Sequence, residues 1–150
     1  MLSGAAASWA SKSSLHAKDR PSASAVDVIG TIASIVLGVV FLVAGGSKIA
    51  AGPDWPVQAA GLGAPRWVIP FVPWVEIVVG AALVVQVARQ PAALAALGIL
   101  VVFTALLVVR LSEGKRPPCA CFGAWSAKPL GPGHLARNAA LIAVAGLALI

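Results

Sequence analysis

Long stretches without a charged residue are the feature that most limits what this chain can fold into. Between Asp27 and Lys48 lie twenty uncharged, mostly apolar residues, which matches the ~20 that a helix needs to cross ~30 Å of hydrocarbon. Hydrophobic residues make up 59% of the chain and charged residues 11%, against roughly 25% charged in soluble domains. A soluble domain of this size has too little polar surface for such a composition. The sequence therefore predicts an integral membrane protein.

Four apolar segments are predicted to cross the membrane as helices. The second begins near Pro70 and Pro73, which fit an entry turn or a first helical turn better than a helix interior. The connection from the second segment to the third is tight, so these two are expected to be antiparallel neighbours. The fourth, if it starts near Pro132, spans only about 28 Å. We predict an all-α integral membrane four-helix bundle in residues 27–150, with spans near 28–48, 68–88, 91–110 and 132–150.

The basic residues lie in an N-terminal tail and between the apolar segments. Residues 1–26 are rich in Ser and Ala and show no sustained apolar period, so we expect a flexible basic tail; an organellar transit peptide has a similar composition. The net charge of +6 is not accompanied by a basic stripe with interleaved aromatic residues. The expected partner is therefore the lipid bilayer, and no nucleic acid is expected.

The residues whose side chains could carry out chemistry are predicted to gather at one end of the bundle. Four antiparallel spans place the end of the first, the start of the second, the end of the third and the start of the fourth on one side of the membrane. Four of the five tryptophans fall on this side, as expected for rings at the level of the lipid headgroups. The residues concerned are Lys48, Glu76, Cys119, Cys121, His134, Arg137 and Asn138.

Glu76 is unusual because it falls inside an apolar segment. On insertion scales, the free-energy cost of placing a charged residue inside the membrane is roughly 2.5–3.5 kcal/mol. Such a residue therefore normally faces the bundle interior with a partner. An ion pair with Lys48 or Arg137 is the structural interpretation, and proton handling is the functional one. Arg137 and Asn138 open the fourth span and could hydrogen-bond the cysteine loop. His134 is interpreted as a loop residue rather than a ligand.

Both cysteines of the chain lie in one tripeptide, within the segment PPCACFG at residues 117–123. A disulfide within Cys-x-Cys closes a small, strained ring, so it is labile and adds little stability. Lys115 and Arg116 lie just upstream and favour the thiolate that attacks disulfides. The residues alone leave three interpretations of the cysteine pair open: redox exchange, half of a zinc or cuprous copper site, and inert structural cysteines.

Three stretches carry a family resemblance: GGSKIAAGPDWPVQAAGLGAPRWVIPFVPWVEIVVGAAL, then CACFG, then LARNAALIAVAGLAL. Together they resemble the MauE (methylamine-utilisation) family, which is related to DoxX, over roughly residues 28–150. The Cys-x-Cys-Phe-Gly element with a later Arg-Asn is the specific part, whereas the Lys and Glu features are shared more widely with DoxX-like chains. The matched positions are Lys48, Glu76, Cys119, Cys121, Phe122, Gly123, Arg137 and Asn138.

The resemblance implies a four-helix membrane core and a role in thiol–disulfide handling. Cys119 and Cys121 would exchange disulfides with a thioredoxin-like redox protein or a disulfide-bearing client, supported by other residues at the same end. The family's namesake is implicated in maturing the disulfide-rich small subunit of methylamine dehydrogenase. No cofactor and no metal are assigned, while a quinone and a thiolate-bound metal stay open. The alternatives are a non-catalytic accessory subunit of a larger membrane complex and a cysteine-based metal-binding membrane protein.

The expected location is a bacterial cell membrane, as a multi-pass protein, with the side of the cysteine loop undecided. More basic residues lie on the cysteine side than on the other, which by the positive-inside rule favours the cytoplasm. Disulfide handling favours the opposite side, where disulfides persist.

Overall fold

The computed structural model describes residues 21–119 and 128–150, and over these residues the chain is helical apart from one short pair of strands. The helical fold expected from the sequence is confirmed there. The two strands hold two residues each and were not predicted. The elements are α1 (Pro21–Ala51), α2 (Asp54–Gly61), α3 (Val72–Val85), α4 (Arg89–Ser112), β1 (Pro118–Cys119), β2 (Lys128–Pro129) and α5 (Pro132–Ala148).

The four longer helices close into a ring around an apolar core. The long helix α1 packs against α3 and α5, and α4 packs against the same two helices from the other side. Leu37 on α1 and Leu83 on α3 are fully buried in this core. Alanines line the inner faces of α4 and α5, among them Ala93 and Ala145. These small side chains let the helices approach closely, as is typical of helix packing in membranes.

Glycines bring α1 and α3 into backbone contact. A Cβ atom on Gly38 would lie 2.7 Å from the Gly80 carbonyl oxygen, and one on Gly80 would lie 2.8 Å from the Gly38 carbonyl oxygen. One turn earlier, the Ser34 hydroxyl donates to the Leu83 carbonyl at 3.1 Å. Small residues recurring every four positions in α1 therefore let another helix approach closely.

Two helices are long and apolar enough to cross a membrane, judged by length and composition within the described residues. They are Ser24–Ala51, the apolar part of α1, and Arg89–Ser112. Large apolar side chains point outward from both, including Ile32, Val43 and Val102. In water such a surface would be a liability, whereas lipid tails solvate it directly.

Several helix boundaries differ from the predicted ones. The first helix begins at Pro21, so residues 21–26, which we had assigned to the tail, belong to α1; residues 1–20 of that tail lie outside the described part. The second segment, predicted at 68–88, forms a helix only over Val72–Val85. Turns occupy the chain through Phe71 and Pro73 lies in the first helical turn, because proline is tolerated there and not further inside a helix.

The connections between helices are tight and contain residues with positive φ. Gln86 and Ala88 have φ values of 61° and 52°, and they turn the chain between α3 and α4. Helix α4, which corresponds to the third predicted span, therefore starts at Arg89, two residues before the predicted start. Pro91 lies in its first turn. Helix α2, which fills most of the connection between α1 and α3, was not predicted, because its eight residues carry no clear apolar period.

Candidate functional site

A buried ion pair joins the end of α1 to the beginning of α3. Lys48 lies in the last turn of α1, and its Nζ approaches the two carboxylate oxygens of Glu76 at 2.9 and 2.8 Å. The same ammonium also donates to the Ala44 carbonyl at 3.3 Å. Lys48 is 5% exposed and Glu76 is 8% exposed. Of the two partners that the sequence offered for Glu76, the structure therefore places Lys48 beside it.

Trp55 covers this ion pair from the side of α2. The Lys48 Nζ lies 5.1 Å from the centre of the indole ring, which is within the range of a cation–π interaction. The indole Nε1 donates to the Ile69 carbonyl at 3.2 Å, so the ring is held between α2 and the segment that precedes α3. Trp55 is buried, unlike Trp67 and Trp74, which are exposed. The interpretation of the tryptophans as headgroup-level anchors therefore fits the last two and not Trp55.

Asn138 is the third polar side chain in this interior region. Its Nδ2 donates to the Thr104 Oγ1 at 3.1 Å, and that hydroxyl donates in turn to the Leu100 carbonyl at 2.6 Å. These bonds link α5 to α4, and Asn138 is 1% exposed. The neighbouring Arg137 is close enough for its charge to act on Lys48. Buried polar groups linked in this way fix the relative rotation of the helices.

The ion pair and Asn138 face a common cavity of about 400 Å³. Its walls are otherwise almost entirely apolar and come from all five helices described above and the connection before α3. Cavities of roughly 300–1,000 Å³ with few polar groups are typical of small-molecule sites. The lining includes Phe41, Lys48, Trp55, Leu62, Val68, Glu76, Ala95, Gly98, Leu100, Val102, Phe103 and Asn138.

The segments that flank the cysteine loop pair with each other above this end of the bundle. Strands β1 and β2 are antiparallel, with Cys119 opposite Lys128. Just outside the pair, the Leu130 N–H donates to the Pro117 carbonyl at 3.3 Å. Leu130 is fully buried against Leu62 and Leu107. The base of the loop is therefore attached to the bundle through an apolar cluster, Leu62–Leu107–Leu130.

Only part of the predicted motif falls within the described residues. The backbone of Cys119 lies in β1, whereas Cys121, Phe122 and Gly123 lie outside the described residues. His134, which we interpreted as a loop residue, lies in the first turn of α5 and its Nδ1 accepts from the Gly131 N–H at 3.3 Å. The histidine therefore satisfies a backbone donor at a helix start.

A second charged group lies between the end of α4 and the cysteine loop. Arg110 contacts Glu113 through its Nη1 at 2.8 Å, and Lys115 contacts the same carboxylate at 3.2 Å. Hydrogen bonds from Lys115 and, to a smaller extent, from Arg110 hold the pKa of the Glu113 carboxyl below its ordinary value. The Arg110 guanidinium also lies against Gly63, in the connection before α3. These charged residues therefore connect the end of α4, which leads into the cysteine loop, to the segment between α2 and α3.

Gly63 provides a direct test of that arrangement. Its φ is +88° and the Arg110 guanidinium occupies the space that a Cβ would need, so Gly63→Ala should be destabilised by backbone strain of about 1–3 kcal/mol and by displacement of Arg110. Gly114→Ala is the matched control, because its φ is +69° and nothing lies within 4 Å of the added Cβ. We expect a larger fall in the thermal unfolding temperature of the detergent-solubilised protein for Gly63→Ala. Equal falls would show that Arg110 does not matter there.

The structure brings together three of the residues that the sequence singled out, namely Lys48, Glu76 and Asn138, with Arg137 next to them. Sequence reasoning missed Thr104 and the role of Trp55. A hydroxyl two-thirds of the way along an apolar helix was the one available signal for Thr104, since such a group must find a partner inside the bundle.

Comparison with known proteins gives one match. The family model described as Methylamine utilisation protein MauE matches residues 26–150, which is most of the chain. No curated protein and no solved structure matches it. The matched range contains α2 to α5, all of α1 except its first five residues, and both cysteines. The chain belongs to the MauE family of methylamine utilisation proteins.

Proposed function

We propose that this chain is a multi-pass membrane protein that exchanges disulfides through Cys119 and Cys121. Its partner is a thioredoxin-like protein or a disulfide-bearing client within methylamine utilisation. The observation that carries the proposal is the position of the Cys119 backbone. It ends strand β1, in a strand pair whose base is attached to the same end of the bundle as the buried Lys48–Glu76 pair.

All four longer helices cross the bilayer in this proposal. Helices α3 and α5 hold 14 and 17 residues, which corresponds to about 21 and 26 Å of helix. Both are shorter than the ~30 Å of a typical hydrocarbon core. Both pack directly against α1, so the long helix covers the polar backbone where a short neighbour ends. Local thinning of the bilayer accommodates the remaining mismatch.

The proposed exchange balances without any further reagent. A thiolate of a partner dithiol attacks a sulfur of the Cys119–Cys121 disulfide, and the other cysteine leaves as a thiolate. The partner's second thiolate then attacks the mixed disulfide, so the partner is oxidised to a disulfide and the chain is reduced to the Cys119 and Cys121 dithiol. Lys115 and Arg116 precede the loop, and their positive charges favour the thiolate forms. A small, strained ring is more oxidising than an ordinary disulfide, which suits a transient rather than a structural bridge.

Thiol trapping in membranes tests the exchange. Cells are quenched in acid, and free thiols are tagged with a maleimide reagent that adds visible mass on a gel. We expect the native chain to shift between two-tag and no-tag forms as growth conditions change from reducing to oxidising. Cys119→Ser and Cys121→Ser should each prevent the closed form, and one of them should accumulate a mixed disulfide with the partner.

The same experiment separates the competing functions. Two cysteines that stay tagged under every growth condition would contradict the exchange. Stoichiometric zinc or copper in the purified protein, lost in the double serine variant, would identify a metal site instead. A partner that co-purifies equally well with the double serine variant, with function intact, would identify an accessory subunit.

A further inference from the structure

We propose that the cavity beside Lys48 and Glu76 binds a membrane quinone, meaning a lipid-soluble ring with two carbonyl groups. The quinone would be the electron acceptor for Cys119 and Cys121, and this part of the inference rests on the proposed thiol chemistry. The binding itself rests on the cavity alone. Four features of the cavity support it: its volume, its mouth, its polar end and its position next to the strand pair that contains Cys119.

The volume and lining suit a flat apolar ring. The cavity measures about 400 Å³, which lies in the range of small-molecule sites and holds a substituted ring with the first part of a tail. Phe41 and Phe103 contribute aromatic walls, and Leu100 and Val68 contribute aliphatic ones. Aromatic walls pack against a flat ring by offset stacking, which a flexible acyl chain does not use.

The mouth of the cavity lies on the side of α4. Ala95, Gly98 and Val102 line the cavity and are also exposed. Their spacing of three and four residues places them on one face of the helix. These residues lie in the middle of a helix that is long enough to cross a membrane. The opening therefore faces hydrocarbon, and a ligand dissolved in the bilayer reaches the cavity without crossing water.

The polar end of the cavity can contact both redox forms of a quinone. The Lys48 ammonium and the Glu76 carboxylate lie 2.8 Å apart, so a donor and an acceptor stand side by side. A quinone carbonyl accepts a hydrogen bond from the ammonium, and the hydroxyl of the reduced form donates one to the carboxylate. Both bonds involve a charged group in a region with little water, where they are strong. An acyl chain would gain nothing from this pair.

The cavity also lies next to the strand pair that contains the backbone of Cys119. Leu62 lines the cavity and belongs to the Leu62–Leu107–Leu130 cluster that anchors the loop base. Oxidation of the two cysteines releases two electrons and two protons, and a quinone takes up both to become a quinol. The balanced step is two thiols plus one quinone giving one disulfide plus one quinol. Without such an acceptor, the chain would stay in its dithiol form after oxidising one partner.

Binding is measured on the full chain in detergent micelles, with decylubiquinone as the probe. The background is the double variant Cys119→Ser/Cys121→Ser, so that thiol chemistry plays no part. Quenching of tryptophan fluorescence reports binding, because Trp55 forms part of the wall. Partition into micelles quenches linearly, whereas a site gives a saturable component. We expect saturable quenching, and we expect Gly98→Leu to weaken it at least about tenfold by filling the cavity.

Gly98 allows this substitution because no atom lies within 4 Å of an added Cβ. Gly146→Leu is the matched control, since Gly146 is equally open but lies on α5 outside the cavity, and its binding should equal that of the parent. The absence of a saturable component, equal binding in Gly98→Leu and the parent, or equal displacement by decanol would each overturn the quinone site. Saturable binding with cysteines that never cycle would support the site and contradict the thiol exchange.

Discussion

Replacing Glu76 with alanine is expected to lower the free energy of unfolding by about 3–5 kcal/mol. The substitution leaves the Lys48 ammonium, 5% exposed, in an apolar interior without the carboxylate that lies 2.8 Å away. Removing one partner of a buried pair is severe because the remaining charge stays desolvated and uncompensated. The measurement is unfolding by a denaturing detergent in mixed micelles, followed by the loss of helical circular dichroism.

The control replaces both charges with apolar side chains of similar volume. Lys48→Met combined with Glu76→Leu removes the charge that the single variant leaves unpaired, so its stability should lie close to that of the parent or above it. A single variant as stable as the double variant would contradict the burial and pairing of these two groups. A double variant as unstable as the single one would show that the site is intolerant of shape change rather than of charge.

The double variant also distinguishes a structural from a binding role for the pair. If the two charges serve only to hold α1 against α3, the apolar replacement keeps both the fold and the quinone site. If they recognise the carbonyl and hydroxyl groups of the ligand, the protein folds but loses saturable decylubiquinone binding. We expect the second result, because an apolar replacement with good packing holds two helices together as well as an ion pair does.

The gathering of Lys48, Glu76 and Asn138 at one end was predictable from the order of the spans. Each lies near a helix terminus, and antiparallel connections leave no freedom about which end of the bundle it occupies. The choice of Lys48 rather than Arg137 as the partner of Glu76 was not predictable. It depends on how α1 is rotated against α3, and the Gly38–Gly80 contact sets that rotation.

The cavity was not predictable, because the empty space between helices depends on how they pack and not on the type of any one residue. Its mouth exists because Ala95 and Gly98 leave space on one face of α4, and small residues at helical spacing more commonly indicate close packing. Trp55 was misjudged for a related reason. An apolar chain with tryptophans near helix ends predicts headgroup-level anchors. The burial of Trp55 and its hydrogen bond to Ile69 show instead that it is part of the interior.

Substitution at the contact between α1 and α3 is the second change expected to have a large effect. In Gly38→Ala the new Cβ would lie 2.7 Å from the Gly80 carbonyl oxygen and 2.8 Å from a Val84 methyl group. A backbone oxygen has nowhere to move unless the two helices separate, so we expect destabilisation of about 1–3 kcal/mol. The detergent-unfolding measurement used for Glu76→Ala applies unchanged. Because separation of α1 from α3 also pulls Lys48 away from Glu76, the effect should lie at the upper end of this range.

Gly46→Ala is the control, since Gly46 lies on the same helix and no atom approaches its added Cβ within 4 Å. Alanine is the better helix former, so this variant should gain roughly 0.5–1 kcal/mol rather than lose stability. The two substitutions add the same methyl group to the same helix. Stability changes of opposite sign can therefore arise only from the atoms that surround each added methyl group. Destabilisation of both by equal amounts would mean that α1 and α3 do not pack through Gly38. The rotation that pairs Lys48 with Glu76 would then need another explanation.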